Sequence, residues 1–276
     1  MRFRCKMINA FAMRDFTNTV TAISKMSKSC VLQITPDELY FIVLDDACRS
    51  PVVWAELNRD HFFEEYSMVG ASEQQNKIYC EFDTLMLTKS LTSLKATARS
   101  VKIKLTNKQQ PCLTLEIELP SLTTDSWQCV HDVPIKVVQR KDWQAYQVPD
   151  IPNFNISIEL PSLKHIRNVV EKMKNMSPYL TIIANNNGLL ILRINTDVAS
   201  VATHFQDLNV PRPDESGKDE ISVTVDIRRF FIIHTWDSVH PDTVTCSLRN
   251  ERVVYLHLNL TDSIKFHYFI PAVAIS

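Results

Sequence analysis

The segment 160–176, LPSLKHIRNVVEKMKNM, places several cationic side chains at helical spacing behind an apolar, strand-like run. It carries four cations: Lys164, Arg167, Lys172 and Lys174. Lysine and arginine side chains arranged along a helix can neutralise a regular array of phosphates without reading the bases of a nucleic acid. The same composition is also typical of an ordinary surface helix with a solvated polar face. Which interpretation applies depends on whether other parts of the chain repeat the pattern.

Two earlier segments repeat it. Residues 9–28 predict a helix capped by Asn9, because an asparagine side chain can accept hydrogen bonds from the first free backbone N–H groups. Its apolar stripe is Met13, Phe16, Val20 and Ile23, and its cations are Arg14, Lys25 and Lys28. Residues 83–99 predict a second basic helix, with cations at Lys89, Lys95 and Arg99. A fourth predicted helix, residues 226–236, is close to neutral.

Charge is therefore unevenly distributed. The whole chain has 30 basic and 31 acidic residues, a net charge of −1, so the remainder of the chain must be acidic. If the four helices share one face of a curved sheet, that face is a basic band that attracts the phosphates of duplex DNA. Few aromatic residues lie among these lysines, which argues against single-strand recognition by base stacking.

Side chains with catalytic potential are present but are not grouped. His131 and Asp132 are adjacent in a predicted strand, which directs their side chains to opposite faces. The pairs Asp45–Asp46 and Glu64–Glu65 could supply acids for metal-dependent chemistry, but such pairs are more often solvated loop charge. We therefore predict no enzymatic activity, no cofactor and no metal site. A metal-dependent nuclease stays as a remote alternative, which EDTA-sensitive DNA cleavage would reveal.

Composition further restricts the class of protein to which the chain can belong. Of 276 residues, 45% are hydrophobic, which is enough for a full core. Three glycines are too few for a Walker loop or a Rossmann fingerprint. Seven scattered cysteines predict reduced thiols rather than a disulfide framework. No apolar run approaches the ~18 residues of a membrane span, so we expect a soluble intracellular protein with no membrane partner.

Predicted strands flank every helix, so that a strand–helix–strands unit occurs four times. The segment 139–153, with two prolines, interrupts this order and is predicted to connect two domains, 1–138 and 154–276. The run Asn185–Gly188 predicts a hairpin. Pro134 lacks a backbone donor, so we expect the strand near it to lie at a sheet edge. The predicted class is α+β, with antiparallel sheet and two helices per domain on one face.

Five blocks carry a family resemblance: KIKLTNKQQPCLTLEIEL (102–119), HDVPIKVVQRKDW (131–143), VVEKMKNMS (169–177), THFQDL (203–208) and YFIPA (268–272). With the four repeated units, they make the chain resemble sliding DNA clamps of the PCNA type. Among these clamps it is most similar to the hydroxyurea-sensitive (Hus-type) subunits of the heterotrimeric checkpoint clamp called nine-one-one. The resemblance runs along the whole chain and implies a PCNA-like fold, with helices on the inner face and antiparallel sheets outside.

The resemblance implies a non-catalytic subunit of a ring that encircles DNA at damage sites, supports checkpoint signalling and serves as a platform for repair enzymes. The implied partners are two other clamp-like checkpoint subunits, an ATP-dependent clamp loader, duplex DNA and repair enzymes, all in the nucleus. A homotrimeric replicative processivity clamp is the alternative, since it requires only that one edge of the chain complement the other.

The resemblance also assigns residues to surfaces. The ten helix cations would face DNA. Two edge strands would pair with neighbouring subunits through Val130, Asp132, Pro134, Lys136, Ala199, Val201, Thr203 and Phe205. Repair enzymes would dock on the connecting segment and the last strand, at Trp143, Tyr146, Val148, Phe269, Ile270 and Pro271.

Overall fold

The computed structural model describes residues 1–45, 50–72, 74–92, 94, 98–120, 127–214, 220–261 and 263–273, without the side chains of residues 237, 238 and 261. Backbone proximity divides the chain into two compact units, Met1–Pro149 and Asp150–Ser276. Each unit combines helices with antiparallel sheet, which confirms the predicted α+β class. Within the described part of the chain, no helix is long and apolar enough to span a membrane.

Nine antiparallel strands form the sheet of the first unit. They are β1 (Arg2–Met7), β2 (Ser29–Ile34), β3 (Glu38–Leu44), β4 (Pro51–Asn58), β5 (Glu65–Val69), β6 (Ile78–Asp83), β7 (Ser100–Asn107), β8 (Pro111–Leu119) and β9 (Trp127–Val137). Their order is β4-β3-β2-β6-β9-β8-β7-β1-β5. Strand β9 joins two parts of this sheet, because its first eight residues pair with β8 and its last three pair with β6.

Three helices accompany these strands: α1 (Ala10–Met26), α2 (Arg59–Phe62) and α3 (Thr84–Leu91). Asn9 caps α1 as predicted, since its Oδ1 accepts hydrogen bonds from the backbone N of Phe11 at 2.8 Å and of Ala12 at 3.4 Å. The predicted apolar stripe of α1 is buried, with no member more than 3% exposed. Helix α3 packs beside α1, and Thr84 Oγ1 donates to the carbonyl of Ser27 at 2.6 Å, which ties the start of α3 to the end of α1.

The segment predicted to connect the domains contains a 3-10 helix, Arg140–Tyr146, that packs on the first unit. The indole Nε1 of Trp143 donates to the carbonyl of Val138 at 3.1 Å, and its ring lies 4.9 Å from the ring of Tyr79. Trp143 is only 9% exposed as a result. The first half of the segment is therefore ordered by core contacts of the first unit.

The second unit has two antiparallel sheets. Its strands are β10 (Ile156–Glu159), β11 (Tyr179–Ala184), β12 (Leu190–Asn195), β13 (Ser200–Phe205), β14 (Ile221–Asp226), β15 (Thr243–Arg249), β16 (Val253–Thr261) and β17 (Ile264–Pro271). The sheet orders within this unit are β10-β15-β16-β17 and β13-β12-β11-β14. Its helices are α4 (Leu163–Met173), α5 (Ile227–Phe231) and a 3-10 helix, Ile232–Val239.

Helix α4 buries the stripe that its spacing predicts: Leu163, Ile166, Val170 and Met173 are at most 7% exposed. The predicted hairpin is also confirmed. Strands β11 and β12 pair around it, and Asn185 Oδ1 accepts from the backbone N of Asn187 at 3.0 Å. Gly188 has φ +75°, and a Cβ there would lie 2.4 Å from the carbonyl oxygen of Leu208, so only glycine fits this turn.

Some predicted elements differ from the observed ones. The fourth helix, predicted over 226–236, is α for five residues and then continues as a 3-10 helix; its β-branched and aromatic residues are weak helix formers. Helix α3 is described only to Leu91, and residues 93 and 95–97 of the predicted helix lie outside the described residues. Helix α2 and strand β5 were not predicted, because both are short and β5 is defined by its long-range pairing with β1.

Candidate DNA-facing helices, subunit edges and docking surface

Of the predicted helix cations of the first unit, Arg14 and Lys25 lie on α1 and Lys89 on α3, whereas Lys28 and Arg99 lie just before strands β2 and β7. Arg14, Lys25, Lys28, Lys89 and Arg99 are all exposed, whereas Lys95 lies outside the described residues. Only Arg14 has a local partner among them, since its Nε lies 3.4 Å from Asp15 Oδ1. Among the described residues, the other four form no ion pair, so their charge is available to an external anion.

The helix cations of the second unit are partly engaged. Lys164, Arg167 and Lys172 are exposed on α4. Arg167 Nε lies 4.0 Å from Glu171 Oε2, a surface pair one turn apart that contributes little to stability. Lys174 is half-buried, with its Nζ 3.9 Å from the ring centroid of Phe231. A cation held over an aromatic ring loses part of its freedom to reach a phosphate.

The edge predicted around Pro134 exists over only part of strand β9. Its first eight residues, Trp127–Pro134, pair with β8 alone within the described structure, so their other backbone edge is open. Val130 is 49% exposed on this part. Lys136 belongs to the last three residues of β9, which pair with β6 and place Lys136 opposite Glu81. The expectation that the whole strand is an edge is therefore wrong, because β9 joins β6 to β8, and a subunit contact at Lys136 stays a prediction.

The second predicted edge is β13. It pairs with β12 and has no second neighbour among the described strands, so one backbone edge of Ser200–Phe205 is open. Val201, Thr203 and Phe205 are half-buried on one face, while Ala202 and His204 are exposed on the other. Ala199 immediately precedes the strand and is exposed. The two open edges lie in different units, one in each.

The predicted docking residues differ in accessibility. Tyr146 and Val148 are half-buried in the first unit. In the second unit, Phe269 is half-buried and Pro271 is exposed. Trp143 and Ile270 are buried, because the first packs on Tyr79 and the second faces the core of its sheet. Neither of these two side chains can contact a partner without rearrangement.

A cleft of about 820 Å³ lies beside the 3-10 helix Arg140–Tyr146 in the first unit. Its lining combines apolar side chains such as Val31 and Ile42 with the charged residues Glu81, Lys136 and Lys141. Tyr146 closes one side of it. The cleft therefore presents both charged and apolar side chains beside the connecting segment.

Comparison with known proteins assigns the chain to a family. The model of the Hus1-like protein family matches residues 1–274. The chain is 40% identical to the human checkpoint protein HUS1 over 99% of its own length and 100% of that protein. It is 30% identical to the checkpoint protein Hus1-like of Drosophila melanogaster, with 99% of each chain covered. The chain belongs to the Hus1-like family.

Solved structures place this Hus1-like chain in a wider fold group. It matches the proliferating cellular nuclear antigen of Entamoeba histolytica with a TM-score of 0.72, at 11% identity and 99% coverage of each chain. It matches a chain of the PCNA2–PCNA3 complex of Sulfolobus tokodaii with a TM-score of 0.67, at 14% identity and 98% coverage of each chain. The predicted PCNA-like clamp fold is thereby confirmed.

The acid–histidine candidates of the Hus1-like chain do not form a catalytic group. Asp132 accepts from Lys108 Nζ and from Thr114 Oγ1, each at 2.6 Å, and the Lys108 hydrogen bond lowers the pKa of Asp132. A carboxylate with a lowered pKa is a poor general base at neutral pH. His131 instead has its Nε2 3.1 Å from Cys129 Sγ. Among the described residues, no group of three or more His, Cys, Asp or Glu side chains is arranged to hold a metal.

Two features of these surfaces were not predicted from the sequence. Trp127 is 70% exposed at the beginning of the open part of β9. An indole next to a turn in a predicted edge strand is a signal that could have been used, since aromatic residues are enriched in interfaces. The contact of Lys174 with Phe231 had no comparable signal, because the two residues are far apart in the chain.

Proposed function

We propose that this Hus1-like chain is a non-catalytic subunit of a heterotrimeric ring clamp that encircles DNA at damage sites and supports checkpoint signalling. The observation that carries the proposal is the exposed cations on or next to helices α1, α3 and α4, in a chain with the clamp fold. In this proposal residues 1–138 and 154–276 are the two clamp domains, and residues 139–153 connect them.

The helix cations would act on the DNA backbone. Lysine and arginine side chains that contact phosphates without reading bases release counterions and hold DNA independently of its sequence. Contacts of this kind position a protein on the duplex without specifying a site. A clamp needs that property, because it has to remain on DNA of any sequence. Lys25, Lys28 and Lys89 are best placed for this role, because they are exposed and free of ion pairs among the described residues.

The two open edges would bind the neighbouring subunits. An exposed backbone edge can accept a strand from another chain, and the side chains of alternate residues then select the partner. The first eight residues of β9, with Val130 and Trp127 exposed, and β13, with Val201 and Thr203, are the proposed edges. Asp132 and Pro134 lie on the first of them.

Repair enzymes would dock through the accessible part of the predicted set, namely Tyr146, Val148, Phe269 and Pro271. The cleft beside Tyr146 supports this role, because its lining offers both apolar and charged side chains to a peptide. An ATP-dependent clamp loader would place the ring on DNA, with this chain supplying no ATP chemistry of its own. The protein would act in the nucleus.

The solution mass of the purified chain tests the proposal. Light scattering should show a monomer alone and a 1:1:1 complex after mixing with the two other checkpoint clamp subunits. A stable trimer of the chain alone would contradict the heterotrimer and favour the homotrimeric replicative clamp. Incubation of the same material with plasmid DNA, with and without EDTA, tests the nuclease alternative, and EDTA-sensitive cleavage would contradict the non-catalytic role.

A further inference from the structure

A second cationic surface lies on the sheet of the first unit, apart from the helices. Strand β1 turns Phe3, Cys5 and Met7 into the core, so its other face presents Arg2, Arg4 and Lys6. The neighbouring strand β7 presents Lys102 and Lys104 on the same face, with Val101 and Ile103 buried. We call these five cations the β1–β7 stripe.

The register of β1 and β7 places like charges opposite each other. Arg4 pairs with Lys104, and Lys6 pairs with Lys102. Directly opposed like charges destabilise a sheet. Acids on the outer strands lie opposite two of these cations in register, Glu65 opposite Lys6 and Glu116 opposite Lys102, and offset part of this repulsion.

Neighbouring acids compensate only part of the stripe. Glu65 lies 3.5 Å from Arg4 and 3.6 Å from Lys6, and Glu116 pairs with Lys104. Within the described residues, Arg2 and Lys102 form no ion pair. Arg2 is exposed and Lys102 half-buried. Two positive charges of the stripe are thus left for an external anion.

The shape of the stripe selects the kind of anion. It is two strands wide, and acids border it on both sides: Glu65 on β5, and Glu116 and Glu118 on β8. Cations recur at every second residue, about 6.8 Å apart along a strand, in two rows about 4.8 Å apart. An extended peptide with an acid at every second residue matches this spacing and width. A DNA duplex, whose major groove alone is about 12 Å wide, would also cover the acidic borders.

We propose that the β1–β7 stripe binds an extended acidic segment of a partner protein. The segment lies along β1 and β7, and its carboxylates pair with Arg2, Lys102 and the cations between them. This binding site is separate from the helix cations and does not depend on their role with DNA. It also differs from the docking residues Tyr146 and Phe269, because it recognises charge rather than an apolar anchor.

Fluorescence anisotropy of the purified chain tests this proposal with a labelled peptide of alternating glutamate and serine. The wild-type chain should bind it, with affinity that falls as salt is added. The double variant Arg2→Glu/Lys102→Glu should lose at least about tenfold in affinity, because two charge-assisted contacts become repulsive. The matched control Lys77→Glu/Lys265→Glu reverses two exposed lysines elsewhere, with the same change in net charge, and should keep wild-type affinity.

The milder variant Arg2→Gln/Lys102→Gln guards against a folding defect. It removes both the repulsion between Lys6 and Lys102 and the attraction between Lys102 and Glu116, so its thermal midpoint should stay close to that of the wild type while the peptide binds more weakly. Failure of the wild-type chain to bind the peptide would overturn the proposal, as would an equal loss in the control. If the stripe variants lose duplex DNA and keep the peptide, the stripe is a nucleic-acid site and the proposal is wrong.

Discussion

The two units carry six and four of the ten predicted helix cations and also differ in how many of these are free of local partners among the described residues. In the first unit, Lys25, Lys28 and Lys89 project into solvent and form no ion pair among the described residues. In the second unit, Arg167 lies near Glu171, and Lys174 is held over Phe231. The difference means that the neighbours of a cation, as well as the number of cations, decide how much charge each layer leaves for the proposed contacts with DNA.

The largest expected effect concerns the buried face that orients the first helix layer. Phe16 makes edge contacts with the rings of Phe41, Phe62 and Phe63, at centroid distances of 5.8, 6.1 and 6.4 Å. Phe16→Ala should lower the free energy of unfolding by about 3–5 kcal/mol, because it leaves a cavity. Urea unfolding followed by tryptophan fluorescence measures this change.

Phe11 provides the matched control in the same helix. It is 65% exposed, so Phe11→Ala should change the free energy of unfolding by no more than about 0.5 kcal/mol. An equal loss of unfolding free energy in both variants would mean that the buried stripe does not orient α1. The proposed difference between the buried and the exposed face of α1 would then be wrong.

The next effect concerns DNA retention by the assembled ring. Lys25→Glu/Lys28→Glu should reduce affinity for duplex DNA by about tenfold or more and flatten the slope of log K against log salt by about 2, as expected for two lost phosphate contacts. Filter binding at several salt concentrations measures both quantities. Subunit assembly should be unchanged, since both side chains are exposed on the helix layer.

Helix α4 and its C-terminal end offer a free cation and an engaged cation for comparison within the second unit. Lys164→Gln should weaken DNA retention more than Lys174→Gln, because Lys164 is exposed whereas Lys174 is half-buried against Phe231. Each substitution removes one positive charge, so net charge is matched. Equal effects would show that Lys174 leaves the aromatic ring when DNA is present, and the proposed difference between the two layers would not hold.

The smallest effect concerns helix capping. Asn9 caps α1 with its side chain, whereas Ser162 at the start of α4 makes no side-chain capping bond. Asn9→Ala should cost about 1 kcal/mol of stability, and Ser162→Ala no more than about 0.5 kcal/mol. Both changes are measurable by urea unfolding. A larger loss at Ser162 would indicate that α4 is capped in solution by that side chain.

Local patterns predicted much of the fold. The apolar stripes of α1 and α4 recur at helical spacing, and every predicted member is buried. The Asn9 cap and the Asn185–Gly188 turn were also predictable, because the hydrogen bonds of each join residues close in sequence. Strand β5 was missed, since its place at the end of the sheet depends on pairing with β1, some sixty residues away.

The candidate surfaces were predictable as sets of residues, but their accessibility was not. Trp143 and Ile270 were predicted to dock partners and are buried. Lys136 was predicted at an open edge and is paired opposite Glu81. In each case the deciding neighbour comes from another strand, and nothing in the local sequence identifies it.

The sequence by itself determined helices α1 and α4, the Asn9 cap, the uneven distribution of charge and the family to which the chain belongs. These features depend on residue type and spacing along the chain. The tertiary structure alone decided which cations are available, which part of β9 is an open edge, and that β1 and β7 place like charges side by side. Those properties arise from contacts between residues distant in sequence, which only folding brings together.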